Sequence, residues 1–192
     1  MSAIYDHTNY LVRKKVLKLF GETFHVFDPS GNVIFYAKQK AFKLKEDIRL
    51  YTGEDMRTEL LTVKARQAID LSATYDVIDA TSGEKVGALR RKGLKSILKD
   101  EWLFLGPDDN EIGLIKEDNA ALALLRRFLT SLIPQQLYAE IGGREVCVFK
   151  QNFNPFVTKI NVDFSHNTDG LLDRRLGIAA AVLLCAIEGK QG

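Results

Sequence analysis

The sequence predicts a mostly β fold, an antiparallel sandwich or barrel, with one apolar helix enclosed by it. Three observations carry this expectation. Turn-forming clusters recur at short, regular intervals, and the runs between them are rich in Val, Ile, Phe, Tyr and Thr, which suit a pleated, half-buried surface. Part of this rhythm is repeated along the chain. The C-terminal stretch "DRRLGIAAAVLLCAIEG" holds twelve residues, Leu176 to Ile187, without a charged or polar side chain.

The turn signals are "DPSGN" at 28–32, "TGED" at 52–55, "DATSGE" at 79–84, "GPDDNE" at 106–111 and the glycine pair at 142–143. The cleanest hairpin is "LYAEI-GG-REVCVF", because two glycines accept the positive φ angles of a type I′ turn. The repeat sets 27–53 against 78–106. Asp28 matches Asp79, Ser30-Gly31 matches Ser82-Gly83, and Lys38/Lys40 match Arg90/Lys92. The segment Asp47 to Tyr51 is set against Asp100 to Phe104, and a shortened echo follows in "LGPDDNEIGLIKED". Each unit is a turn, a strand, a basic connection and another strand, as in a barrel assembled from duplicated meanders.

Two segments break the β rhythm. "EDNAALALLRRFLTSLIP" opens on Asp118 and Asn119, repeats Leu122, Leu125, Leu129 and Leu132 at helical spacing, and ends at Pro134, which predicts a helix near 119–133. The second is the C-terminal run, read as a helix near 170–188 with Thr168 or Asp169 as its N-cap. A bilayer span needs about 20 apolar residues, whereas runs of about 10–14 belong to core helices. Extending the run backwards would draw Arg174 and Arg175 into the membrane at a cost of several kcal/mol. Gly177 and the alanines at 179, 180, 181 and 186 keep this helix thin, while Leu176, Ile178, Val182, Leu183, Cys185 and Ile187 supply apolar bulk on every side. A helix apolar all round must be enclosed all round. Residues 170–188 would span about 28 Å as a helix, comparable to the height of a small barrel.

Composition narrows the function. Of the 192 residues 46% are hydrophobic and 27% charged, which fits a globular chain and not a disordered one. The formal charge of +2 is uneven: residues 1–100 hold 18 Lys/Arg against 13 Asp/Glu, and residues 101–192 hold 9 against 12. That excess is too small for the basic face of a duplex-DNA binder. Cys147 and Cys185 form no disulfide framework and read as buried apolar residues in a reducing compartment. The N-terminal stretch lacks the basic start, continuous apolar core and cleavage site of a signal peptide, so the expected location is the cytoplasm, free or peripheral at a membrane.

The segment "YLVRKKVLKLFGETFHVFDPSGNVIFYAKQK", the repeated "D..SG" strand pairs and the terminal "D.RLGIAAAVLLCAIE" resemble the LURP-one-related proteins. These group with the phospholipid scramblases and the Tubby C-terminal domain. The resemblance runs from about residue 10 to 188 and rests on patterned strands. It implies a single domain, a closed antiparallel barrel of about twelve strands around a central hydrophobic C-terminal helix. It also implies a non-enzymatic binding protein for anionic phospholipid head groups or a protein partner. The alternative it carries is a scramblase-like protein whose last helix enters the membrane.

Candidate sites follow from charge and from that resemblance. Basic sets lie at Arg13-Lys14-Lys15-Lys18, at Lys38, Lys40, Lys43 and Lys45, and at Arg90, Arg91, Lys92 and Lys95. Lys38, Lys40, Lys43, Arg90, Arg91, Lys92 and Lys95 are the lipid-binding candidates, since cations near an anionic surface contribute about 1 kcal/mol each. The same lysines would also keep barrel strands soluble and protect edges. A calcium reading of "DFSHNTDGLLDR" offers Asp163, Asn167 and Asp169, but the loop pattern then breaks at Thr168 and Arg174 where glycine and a bidentate glutamate are needed. A polar turn with helix-capping carboxylates is the simpler reading. His7, His25 and His166 are scattered, no nucleotide-binding or hydrolase motif occurs, and neither catalysis, a cofactor nor nucleic acid is expected. Trp102 is expected in the core.

Overall fold

The computed structural model describes residues 3–17, 21–39, 47–66, 73–92, 101–117, 135–152 and 157–188. A short 3-10 turn, Ala3–Tyr5, precedes twelve strands: β1 (Asn9–Leu17), β2 (Gly21–Phe27), β3 (Val33–Gln39), β4 (Ile48–Tyr51), β5 (Glu59–Ala65), β6 (Thr74–Asp79), β7 (Lys85–Arg91), β8 (Trp102–Leu105), β9 (Glu111–Glu117), β10 (Gln136–Ile141), β11 (Arg144–Asn152) and β12 (Val157–Asp163). One helix, α1 (Arg174–Glu188), follows. Each strand pairs antiparallel with its neighbours in sequence, and β1 pairs with β12 in the register Asn9↔Asp163 to Lys15↔Val157. The sheet is therefore a closed barrel and not a sandwich, and closure removes every free edge.

Helix α1 is its axis. It touches β1 and β12 on one side and β5, β6 and β7 on the other, walls that lie across the ring from each other. Every side chain from Leu176 to Ala186 that has one is at most 2% exposed. Twelve strands spaced about 4.8 Å apart and tilted about 40° enclose a ring about 24 Å across. A helix about 10–12 Å wide leaves one layer of inward side chains around it. Ala180, Leu183 and Leu184 meet Leu89, Trp102 and Ile115 with no room for a water between them. Gly177 is required here, because a Cβ would lie 2.5 Å from the Phe164 ring. No described helix is long and apolar enough to cross a membrane. The side chain of Ile187 and the helix expected near 119–133 lie outside the described residues.

The five turn clusters close the hairpins β2–β3, β4–β5, β6–β7, β8–β9 and β10–β11, all at one end of the barrel. Gly142 and Gly143 take the positive φ angles expected of them, and Gly31 and Gly83 do the same in their turns. Both repeat units open their turn on an aspartate that accepts a nearby amide, though at different offsets: Asp28 that of Asn32 at 2.8 Å and Asp79 that of Thr81 at 2.9 Å. Their second strands need a different alignment. Ile48 and Leu50 are in the central core and Arg49 is exposed, whereas in the wholly buried β8 it is Trp102 and Phe104 that join the central core, and Leu103 and Leu105 form a separate cluster with Ala88. Setting Asp47–Tyr51 against Asp100–Phe104 places opposite faces together, and the pleat demands a shift of one residue.

The start of α1 also differs from expectation. Its N-cap is Asp173, whose Oδ1 accepts the Arg175 amide at 2.8 Å. Thr168 and Asp169 fall in the preceding turn, where Gly170 has a φ of 63° and Asn167 clasps both backbone groups of Leu172. The first turn of α1 is tied to the hairpin end. Arg174 donates to the carbonyls of Tyr5 and His7, and Arg175 donates to Asp173, Asp79 and Glu84.

Candidate basic face

Strand alternation divides the first basic cluster between two environments. Tyr10, Val12 and Lys14 are buried inside the barrel, so Arg13 and Lys15 point outward. Lys14 is 1% exposed and its Nζ lies 3.3 Å from Oε1 of Glu22, which also points inward from β2. Burying that ammonium without a carboxylate would cost several kcal/mol. Arg13 and Lys15 meet water and have no such requirement.

Register then assembles an outer face. Arg13 stands opposite Lys159 of β12 and His25 of β2, and His25 stands opposite Tyr36 of β3. One pleat away, Lys15 stands opposite Thr23, and Thr23 stands opposite Lys38. Lys150 adds an exposed cation on the neighbouring β11. Strands lie about 4.8 Å apart and alternate residues about 6.6 Å apart, so these groups form a regular grid that follows the curve of the barrel wall. Its aromatic floor is buried or half-buried: the Arg13 guanidinium lies 4.7 Å from the centre of the Phe27 ring, and His25 stacks on Phe27 and meets Tyr36 edge-on.

What distinguishes this face is that, among the described residues, its outward cations have no carboxylate partner. Among the described residues, Arg13, Lys15, Lys38, Lys64, Lys150 and Lys159 make no ion pair. All but Lys64, on β5, belong to β11, β12, β1 and β3, which with the intervening β2 are consecutive in the ring. Elsewhere, Lys64 apart, the described outward cations of the wall are paired. Arg66 and Lys85 share Asp76 and Asp109, Arg49 pairs with Glu59, and Lys116 pairs with Glu140. The Arg66 and Lys85 partners hold the Asp109 carboxyl below its ordinary range.

The expected lipid-binding residues are thus separated. Lys38 is exposed and belongs to this face. Arg90 is paired with Glu111, and the Lys92 Nζ lies 3.3 Å from Glu101. Arg91 follows Leu89 on the inward side, where its charge opposes the upward push that burial gives the Tyr75 phenol. β3 and β7 lie four strands apart, so the ring keeps Lys38 away from Arg90. Lys40, Lys43 and Lys95, with Lys18 and Lys45, lie outside the described residues. Sequence reasoning missed Lys150 and Lys159, isolated lysines in the acidic half of the chain. Only closure of β12 on β1 brings them to Arg13.

The proposed calcium ligands have other work. Asp163 Oδ1 accepts the Ser165 amide at 2.8 Å, the buried Asn167 amide is used on Leu172, and Asp169 pairs with Arg144 at 2.7 Å. No group of three or more candidate metal ligands is found among the described residues. His25 Nε2 lies 2.8 Å from Oε1 of Glu54, and His166 lies 2.6 Å from Glu145. No family model matches this chain, and comparison with curated proteins and with solved structures returned no match.

Proposed function

We propose that this protein is a non-enzymatic binding module that docks on anionic phospholipid surfaces, the phosphoinositides in particular. The observation that carries the proposal is the uncompensated basic face of β11, β12, β1 and β3. A neutralised wall gains little at a negative surface, because its carboxylates are repelled as its cations are attracted. Five cations without a carboxylate partner on one side of the barrel meet less of that opposition, and each contributes about 1 kcal/mol near an anionic leaflet. The enclosure of α1 counts against the alternative in which that helix enters the membrane, since withdrawing it would empty the core. The affinity of the sequence pattern with the LURP-one-related and Tubby-like proteins agrees with the same activity, and peripheral attachment from the cytoplasm would follow.

Co-sedimentation with phosphatidylcholine vesicles, with and without phosphatidylinositol bisphosphate, tests the proposal. Binding is expected only with the anionic lipid and should fall as salt rises. Replacing Lys15, Lys38 and Lys159 together by Ala should weaken it about 100-fold, at about 1 kcal/mol for each charge. Salt-independent binding, or binding unchanged in the triple variant, would defeat it.

A further inference from the structure

One carboxylate reaches onto the basic face from outside it. Glu54 extends from the turn between β4 and β5, across β3, to His25 on β2. It passes close enough to Tyr36 that its charge adds to the effect of burial in raising that phenol. The two partners are held very differently. The His25 side chain is 10% exposed and fixed between Phe27 and Tyr36, whereas that of Glu54 is 71% exposed. A packed donor facing a solvent-exposed acid is an exchangeable anion site. The acid contributes about 0–1 kcal/mol when held in this way, so a stronger anion displaces it readily.

Resting on the lipid reading above, we propose that Glu54 occupies the place of a lipid phosphate. On docking, a phosphomonoester of an inositol lipid head group displaces the Glu54 carboxylate. It accepts the hydrogen bond from His25 Nε2, with Arg13 opposite His25 on β1 and Lys159 opposite Arg13 on β12. A dianionic monoester with three acceptor oxygens suits this row better than the single charge of a phosphodiester or a serine carboxylate. The row lies on the outer wall of the barrel, open to a head group presented at a membrane surface.

The test compares wild type, Glu54→Gln and Glu111→Gln on two sets of vesicles of equal surface charge, one carrying phosphatidylinositol bisphosphate and the other phosphatidylserine. Both substitutions remove one negative charge, but Glu111→Gln frees Arg90 on the β7 wall. Glu54→Gln is expected to tighten binding to the bisphosphate vesicles about fivefold, equivalent to about 1 kcal/mol, with no comparable gain on phosphatidylserine or in Glu111→Gln. Equal gains in the two variants, or on the two lipids, would mean bulk charge and overturn the site. Wild-type binding with no change in Glu54→Gln would overturn the displacement while leaving the lipid reading intact. Absence of binding by wild type and variants alike overturns both.

Discussion

Replacing Arg175 by Met tests how the central helix is held. Arg175 joins the first turn of α1 to the β6–β7 hairpin through Asp79 and Glu84, and it also pairs with the N-cap Asp173. Its side chain is 10% exposed, that of Asp79 14%, and that of Asp173 25%. Removing one partner of a buried ion pair costs about 3–5 kcal/mol, mostly because the other charge is left unpaired. Glu84 is 58% exposed, so its share is about 0–1 kcal/mol, and water at the barrel rim relieves part of the rest. A loss of about 2–4 kcal/mol is expected, or about 5–15 °C in Tm for a chain of this size. Urea unfolding followed by circular dichroism gives the number. Most of the loss is the unpaired Asp79 carboxylate, so Arg175→Met with Asp79→Asn should recover at least about 1 kcal/mol. A single variant within about 1 kcal/mol of wild type, or strict additivity of the two, would refute the claim that this cluster anchors the helix.

Two further expectations come from the same end of the barrel. Gly177→Ala would gain about 1 kcal/mol in an isolated helix, but its Cβ would press on Phe164 at 2.5 Å, and overpacking costs about 1–3 kcal/mol. Phe164 is 1% exposed and packed edge-on against Tyr10, so thermal unfolding should show net destabilisation, relieved by Phe164→Leu. Burial works against the Asp79 carboxylate, but hydrogen bonds from Thr81 and Arg175 outweigh it and hold the group below the ordinary carboxylate range; Asp28 is lowered by Asn32, and Asp109 by Lys85 and Arg66. A depressed folded value gives stability that is complete above the unfolded value and is lost as pH falls through the folded one. Unfolding free energy should therefore be flat from neutral pH to about 5 and decline below about 4, with a shallower decline in Arg175→Met.

The parts of the fold that show in the sequence are those set by local backbone chemistry or by enclosure. A glycine at positive φ and an aspartate accepting nearby amides mark a hairpin wherever it occurs, and α1 declares its burial by having no polar face. The five hairpins share one end because turns of a meander alternate between ends. The connections at the other end carry no comparable signal. Closure was not legible as a pairing, because nothing local to Lys159 points to Arg13, more than a hundred residues away. Charge runs misled for a related reason. "RRK" at 90–92 reads as a basic patch, yet alternation turns Arg91 inward and cross-wall neighbours Glu111 and Glu101 neutralise the other two.

The basic face can be weighed against simple solubility by asking what it costs. Arg13 and Lys159 stand directly opposite on neighbouring strands, where like charges destabilise a sheet. Solubility does not require that register, since acids interspersed on the same face would serve as well and add cross-strand attraction. Lys159→Glu should replace repulsion with an ion pair to Arg13 and stabilise the barrel by about 0.3–1 kcal/mol. The same change alters the face by two charges and should weaken binding to bisphosphate vesicles about 25-fold. Stability and docking are thus expected to move in opposite directions, as they do where a surface is kept suboptimal for binding. A variant that is less stable than wild type, or one that binds as well, would show that this register carries neither the repulsion nor the function assigned to it.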